Sequence, residues 1–118
     1  MVMPVDAALP KLEAELRRGV VVLAVLSRLR TPQYGYSLRQ ALDAGGMPIE
    51  EGTLYPLLRR LESQGVLHSE WRTGQGQPRR YYQLSPEGRR LYDRLTNSWR
   101  ELNDVVERLQ KGNESDES

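Results

Sequence analysis

Five arginines occupy positions from which their guanidinium groups could bind a polyanion. They are Arg59, Arg60, Arg72, Arg79 and Arg80. The first two belong to a helical pattern over residues 51–62, and the other three belong to a hairpin pattern that follows Gly65. A guanidinium can pair bidentately with a phosphate or with the edge of guanine. A helix followed by a basic hairpin therefore predicts contacts to duplex DNA, although each arginine could instead be an ordinary surface residue.

Smaller polar groups stand at the starts of two helical patterns. Thr53, Tyr55 and Pro56 open the arginine-bearing segment, and Tyr36 and Ser37 open the segment before it. Backbone amides and hydroxyls at a helix start can meet a phosphate. We predict DNA contacts at all five residues, with packing under the hairpin as the alternative for Tyr55.

The formal net charge of +1 hides a segregation of charge along the chain. Residues 59–94 contain eight arginines and four acids, whereas residues 113–118 contain three acids and no base. A basic stretch of this kind suits a polyanion at one end of the molecule, although a solvated surface gives the same pattern.

Hydrophobic periodicity places these residues on a helix-rich scaffold. Residues 1–10 contain two prolines and no period, and we predict that they form an arm. From Leu12 onward, apolar residues recur every three or four positions until Pro32, which predicts helix 1. Helix 2 is predicted over residues 36–44, before a glycine pair that breaks the pattern.

Helix 3 and the hairpin follow from local signals. Pro56 has no amide hydrogen, so we expect it in the first turn of helix 3, with Thr53 or a residue shortly before it as the cap. After Gly65 the apolar period changes to two, which predicts strands over residues 67–72 and 79–84 joined by a glycine-rich turn.

The last helix carries the longest apolar pattern. Ser85, Pro86 and Glu87 supply a side-chain cap, a first-position proline and an acid that faces the helix dipole. Its seam advances by alternating steps of four and three residues. The seam residues are Leu91, Leu95, Ser98, Leu102, Val105 and Leu109. So wide a stripe on a terminal helix predicts a homodimer, because little of its own domain remains to cover it.

These elements predict a fold that is mainly α with one β-hairpin: a winged helix-turn-helix plus a long C-terminal dimerisation helix. We divide the chain into the arm at 1–10, the DNA-binding domain at 11–84, the dimerisation helix at 85–111 and an acidic, disordered tail at 112–118.

Composition argues against several other classes. A chain of 118 residues without cysteine has no disulfide or thiolate chemistry, and we expect it in the reducing cytoplasm. The longest apolar run, residues 20–26, is far shorter than the ~20 residues that cross a bilayer. His68 is the single histidine, so we expect neither a metal nor a cofactor, and no acid, base or nucleophile arrangement indicates an enzyme.

A more specific pattern is similar to a known family. It consists of Gly35-Tyr36, Gly52-Thr53-Leu54-Tyr55-Pro56, Leu58, Leu61-Glu62, Gly65, Tyr81-Tyr82, Leu84 and Gly88. It resembles the PadR family of bacterial transcriptional regulators over roughly residues 14–111. Within that family the chain looks like the short subfamily, which dimerises through a single C-terminal helix and includes a lactococcal multidrug-binding repressor.

The resemblance implies a ligand site around Trp99. In the lactococcal repressor a tryptophan of the C-terminal helix stacks on flat hydrophobic drugs. The residues that would form this site here are Trp99, Leu102, Asn103, Val106, Leu16, Val20, Leu23 and Ser27. Asn103 and Ser27 stand where that repressor has an acid and a lysine, so a preference for cationic ligands does not carry over. Ordinary interface packing is the alternative for Trp99.

We therefore predict a homodimeric, sequence-specific DNA-binding regulator that reads an inverted repeat, represses transcription and is released by a planar hydrophobic molecule. One alternative is a winged-helix dimer without a ligand pocket. Another is a small-molecule binding protein that has kept the fold without specific DNA recognition.

Overall fold

The computed structural model describes residues 4–74 and 76–117, with side chains described through residue 112. In chain order the elements are α1 (Val5–Arg28), β1 (Gln33–Tyr34), α2 (Gly35–Ala44), α3 (Glu51–Ser63), β2 (Leu67–Arg72), β3 (Arg79–Leu84) and α4 (Pro86–Glu117). Helices dominate, and the strands form one small antiparallel sheet in the order β1-β3-β2. The predicted fold class, three helices followed by a wing and a long terminal helix, is confirmed.

One leucine-rich core joins the three helices to the sheet. Leu26 and Leu38 contribute from α1 and α2, and Leu54 and Leu58 contribute from α3; all four are fully buried. Leu84, at the end of β3, is 1% exposed and closes the core from the side of the sheet. The wing is therefore anchored at its base by the same core that fixes α3.

The hairpin has the bounds that the alternating pattern predicts, and a third short strand extends it. Tyr34 of β1 pairs with Tyr81, and Gln33 pairs with Tyr82. The sequence does not reveal β1, because two residues are too few to show a period. Its effect is to fix the start of α2 against the wing.

Helix α1 begins earlier than predicted. Its first residue is Val5, with Pro4 as the cap, so most of the predicted arm is helical. Asp6 in the first turn favours this start because it faces the positive end of the helix dipole. Pro10 lies in the second turn, where it has no amide hydrogen to donate to the carbonyl of residue 6. Pro4 therefore marks the start of α1, whereas Pro10 lies inside the helix.

Two other helix ends differ from the predictions. Of the predicted caps of α3, Thr53 or a residue shortly before it, the structure has the second: Glu50 is the cap, and the Thr53 amide donates to its carbonyl at 3.0 Å. Pro56 consequently lies in the second turn. Helix α4 continues to Glu117 across Gly112, where the sequence predicted a stop and a disordered tail. A lone glycine lowers helix propensity without ending a helix that good helix formers precede.

The start of α4 is tied to the turn between α3 and β2. As predicted, Ser85 is the cap, and its hydroxyl accepts a hydrogen bond from the Gly88 amide at 2.9 Å. The same hydroxyl donates to the Gly65 carbonyl at 2.6 Å, while the Ser85 amide donates to Val66 at 3.0 Å. Gly65 itself has φ +80°, which glycine adopts without strain as it ends α3. This joint connects the terminal helix directly to the base of α3.

No helix in the described part of the chain combines the length and the hydropathy needed to cross a membrane.

Candidate nucleic-acid interface

Helix α3 presents a face of small residues between two arginines. Leu54, Leu57, Leu58 and Leu61 face the core. The opposite side exposes Thr53, Pro56, Arg59 and Arg60. Gly52 lies on the same side, and a Cβ placed there would meet no atom within 4 Å. A surface could therefore approach the backbone of α3 closely, with one arginine on each side of the contact.

Tyr55 packs against the start of α2 and is not exposed beside Thr53 and Pro56. Its ring is half-buried and packs so closely against Gly35 that a Cβ on Gly35 would lie 2.6 Å from the Tyr55 Cζ atom. Gly35 is thus the residue that allows the start of α2 to cross α3. This placement favours a structural role for Tyr55, whereas Thr53 and Pro56 remain accessible for the DNA contacts we predict.

The two residues predicted at the start of α2 differ in the same way. Tyr36 is 57% exposed and accepts a hydrogen bond from the Gln40 amide at 2.9 Å. The Ser37 hydroxyl is half-buried, accepts from the Tyr34 amide at 3.2 Å and donates to the Gln33 side chain at 2.8 Å. Tyr36 is available to a phosphate, and Ser37 is engaged in holding β1 against α2.

The outer face of the wing stacks arginines on tyrosines. The Arg79 guanidinium lies 4.4 Å from the centre of the Tyr34 ring, and Arg72 lies 4.5 Å from that of Tyr81. The two rings meet edge to face at 5.4 Å. Arg72 and Arg79 are directly opposite in the strand register, where like charges repel. The stack holds both cations side by side, and because Glu70 already pairs with Arg72 at 2.7 Å, an external anion would chiefly balance the charge of Arg79.

Arg80 faces the other side of the wing and is bound within the protein. Its guanidinium forms an ion pair with Glu62 of α3 at 2.7 Å and a hydrogen bond to the Ser69 hydroxyl at 2.9 Å. Ser69 also donates to Glu62, and the Arg80 guanidinium lies 5.4 Å from the centre of the Tyr82 ring. Burial raises the pKa of the Tyr82 phenol, so that ring stays neutral beside the pair. We name this group, Glu62 with Ser69 and Arg80, the α3–wing clamp; it favours a supporting role for Arg80.

The clamp should contribute more to stability than the neighbouring ion pair on the wing. Glu62→Gln removes the negative charge that pairs with Arg80 and accepts a hydrogen bond from Ser69. We expect the free energy of unfolding to fall by about 1–2 kcal/mol. Glu70→Gln is the matched control, because its pair with Arg72 is more exposed and should contribute less than about 0.5 kcal/mol. Urea unfolding measures both, and equal losses would contradict a special role for the clamp.

A cleft separates α3 from the inner face of the wing. It has a volume of about 350 Å³. Its walls include Tyr55, Arg59, Trp71, Pro78, Arg79 and Arg80. Of the two predicted helix arginines, only Arg59 lines the cleft. The sequence did not single out Trp71 or Glu62 here, because residues that are distant in sequence meet only across the fold.

A second cavity, of about 370 Å³, lies between α1 and α4. It contains the predicted ligand residues Leu16, Val20, Leu23, Trp99, Leu102, Asn103 and Val106. Ser98, next to Trp99, lines it as well, as do Gly19 and Leu95, which were not predicted as ligand contacts. Ser27 was predicted here but does not line the cavity; its hydroxyl donates to the Ala24 carbonyl at 2.6 Å. Ser27 lies one turn beyond the cavity wall, towards the core.

Most of the predicted dimer seam on α4 is open to solvent. Leu102 is 63% exposed and Leu109 is 68% exposed. Leu91, Ser98 and Val105 are also exposed, whereas Leu95 is half-buried against the core. The Ser98 hydroxyl donates to the Arg94 carbonyl at 3.1 Å. The N-terminal part of α1 adds Leu9 and Leu12, which are 58% and 57% exposed.

Comparison with known proteins gives a consistent result. The family model that describes PadR-like transcriptional regulators matches residues 22–94 of this chain. The transcriptional regulator Rv3488 of Mycobacterium tuberculosis is 36% identical over 99 residues, which cover 83% of this chain and 90% of that protein. The crystal structure of a PadR family transcriptional regulator from Eggerthella lenta is 49% identical with a TM-score of 0.84, covering 88% of this chain and 93% of that one.

A PadR-like transcription factor from Bacteroides fragilis is also similar in sequence and structure. It is 35% identical with a TM-score of 0.70, and the match covers 84% of this chain and 98% of that one. The family match contains α3 and the whole wing, which are the elements that carry the five arginines.

Proposed function

The chain belongs to the PadR-like family of transcriptional regulators, and from this premise we propose that it acts in the cytoplasm as a homodimeric repressor. The dimer would bind an inverted-repeat operator through α3 and the wing, and a flat hydrophobic molecule would release it. The observation that carries this proposal is the pairing, on one chain, of an arginine-flanked helix face with a long, uncovered apolar seam.

The seam of α4 supports dimerisation. Leu102 and Leu109 of α4 are more than half exposed, and each Å² of apolar surface that an interface removes from water stabilises the assembly by about 25 cal/mol. A second copy of the chain would cover the seam with its own seam, because the same surface patch of each subunit forms the interface of a two-fold symmetric dimer. The exposed leucines at the start of α1 would extend the same interface.

A dimer would carry two copies of α3 and the wing, one in each subunit, and this symmetry implies a symmetric operator. In the simplest geometry the two α3 helices enter successive major grooves on one side of the duplex, with centres about 34 Å apart. Their separation would be set by the crossing of the two α4 helices, because each α4 is tied by Ser85 to the end of its own α3. A change in that crossing would change the distance between the two α3 helices.

The cavity beside Trp99 supports control by a small molecule. Its walls are aliphatic apart from Ser98, Asn103 and the indole, and Trp99 is 41% exposed. An aromatic surface with a few polar groups nearby suits a flat hydrophobic ligand. Such a ligand would release the operator only to the extent that it binds better to the dimer spacing that does not fit DNA.

The test of this function joins a DNA-binding assay with a measurement of mass. The protein is titrated against the DNA upstream of its own gene, with random duplex as competitor, and its mass is measured at micromolar concentration. We expect a dimer that retains one promoter fragment against excess competitor. A monomer would overturn the dimer, and equal retention of random DNA would overturn operator recognition and favour a small-molecule binding protein.

The ligand site makes a separate prediction that needs no DNA. In a Trp71→Phe variant the single remaining indole is Trp99, and planar hydrophobic dyes should quench it with saturation. Trp99→Phe in the wild-type background is the control, because dye should then leave the remaining fluorescence unchanged. Failure of every planar dye to quench Trp99 would leave a dimer without a ligand pocket.

A further inference from the structure

We propose that the cleft between α3 and the wing holds the sugar-phosphate backbone of one DNA strand, and that Trp71 is a direct contact to that strand. This inference rests on the proposed placement of α3 and the wing on duplex DNA. It assigns a function to a residue whose position in a hairpin pattern would otherwise indicate only cross-strand packing.

The geometry of the two reading elements supports the position of the strand. If α3 lies in a major groove and the wing reaches the neighbouring minor groove, the strand that separates these grooves must pass between them. The cleft is the space between α3 and the wing. Its volume of about 350 Å³ lies at the lower end of pockets that enclose small molecules, roughly 300–1,000 Å³.

The charges at the cleft favour a phosphate. Arg59 enters from α3 and Arg79 from β3, and within the described chain neither of them forms an ion pair. Arg80 lies deeper, and its charge is already balanced by Glu62. The cleft is therefore bordered by two guanidinium groups without an acidic partner in the described chain, that of Arg59 and that of Arg79, which stacks on Tyr34, another residue of the cleft wall. Such groups can bind a backbone phosphate.

Trp71 is the apolar part of this surface. Its side chain is 65% exposed on the inner face of β2, directly opposite Arg80 in the strand register. In the described part of the chain no aromatic ring or guanidinium stacks on it, whereas Tyr34, Tyr81 and Tyr82 are all stacked. An indole that is left open beside two arginines is typical of a binding surface, where tryptophan is enriched. A deoxyribose ring would cover it.

The cleft is preorganised for this contact. The α3–wing clamp fixes the base of the wing to α3 through Glu62, and Leu84 anchors β3 in the core. Tyr55 fills the floor, where it is held by its close approach to Gly35. The walls are therefore in place before DNA arrives, and little ordering of the protein is needed on binding.

Fluorescence can test the contact directly because the chain has only two tryptophans. In a Trp99→Phe variant all indole emission comes from Trp71, and adding the retained promoter duplex should change its intensity or its wavelength, with saturation at the stoichiometry of binding. Trp71→Ala should weaken binding of the same duplex about tenfold. His68→Ala is the matched control, since His68 lies on the outer face of the same strand and should leave affinity unchanged.

The outcomes distinguish this inference from the proposed function. If the duplex is retained while Trp71 emission and the affinity of Trp71→Ala are both unchanged, the strand does not run through the cleft, yet operator binding stands. If no duplex is retained by the wild-type protein, the proposed function fails and this inference fails with it. A loss of affinity in His68→Ala equal to that in Trp71→Ala would also overturn the inference, because it would indicate general damage to the hairpin.

Discussion

Gly88→Ala is expected to lower the free energy of unfolding by about 3 kcal/mol, at the upper end of the usual range for overpacking. A Cβ at this position would overlap the Val66 carbonyl oxygen and would lie 2.9 Å from its carbonyl carbon. Both atoms belong to the main chain, so the strain cannot be relieved by rotating a side chain. Thermal or urea unfolding at a fixed protomer concentration measures the loss, since the proposed dimerisation would make apparent stability depend on concentration.

Gly112→Ala in the same helix is the matched control. A Cβ there meets nothing within 4 Å, so alanine should raise helix propensity and stabilise the protein by about 0.5 kcal/mol. The same substitution thus has opposite signs at two positions of α4. Wild-type stability in Gly88→Ala would mean that α4 does not approach the base of α3 as closely as the structure shows.

The joint at Gly88 also bears on regulation. Ser85 and Gly88 hold the first turn of α4 against the residues that immediately follow α3. If the crossing angle of the two α4 helices sets the distance between the two α3 helices, the contacts of Ser85 and Gly88 transmit a change in that angle to α3. A Gly88→Ala protein that still folds should therefore bind its operator more weakly, because α4 must shift away from Val66.

Local signals were sufficient to predict most of the fold. The period of two gave the bounds of β2 and β3, and Ser85 with Pro86 gave the start of α4, because caps and alternation depend on neighbouring residues only. The start of α1 was predicted wrongly because the helix continues through Pro10, although a proline there cannot donate its backbone hydrogen bond. Strand β1 was missed because its partner in β3 lies nearly fifty residues away.

The site was predictable by residue type but not by role. The sequence marked all five arginines, yet it could not tell that Glu62 binds Arg80, that tyrosines support Arg72 and Arg79, or that Arg59 lines the cleft. The residues that the resemblance assigned to a ligand site line one cavity between α1 and α4, apart from Ser27, which lies one turn towards the core. Roles depend on contacts between elements, and a single sequence does not contain them.

The two arginines of α3 should differ in what they contribute to DNA binding. Arg59 lines the cleft beside the wing, whereas Arg60 is exposed on the other side of the reading face. We expect Arg60→Ala to weaken operator binding by about 1–3 kcal/mol for each half-site, as for a bidentate base contact, while random DNA is bound almost as before. Its loss should therefore appear as a loss of discrimination.

Arg59→Ala should instead weaken operator and random duplex alike, because a phosphate is present in every sequence. The slope of log affinity against log salt should fall in magnitude by about 0.9 for each half-site, or about 1.8 for a dimer on both. Titrations at several salt concentrations measure both quantities, and Arg100→Ala on α4 is the control for a change of net charge alone. An unchanged salt slope in Arg59→Ala, or unchanged discrimination between operator and random DNA in Arg60→Ala, would mean that α3 is oriented differently on the DNA.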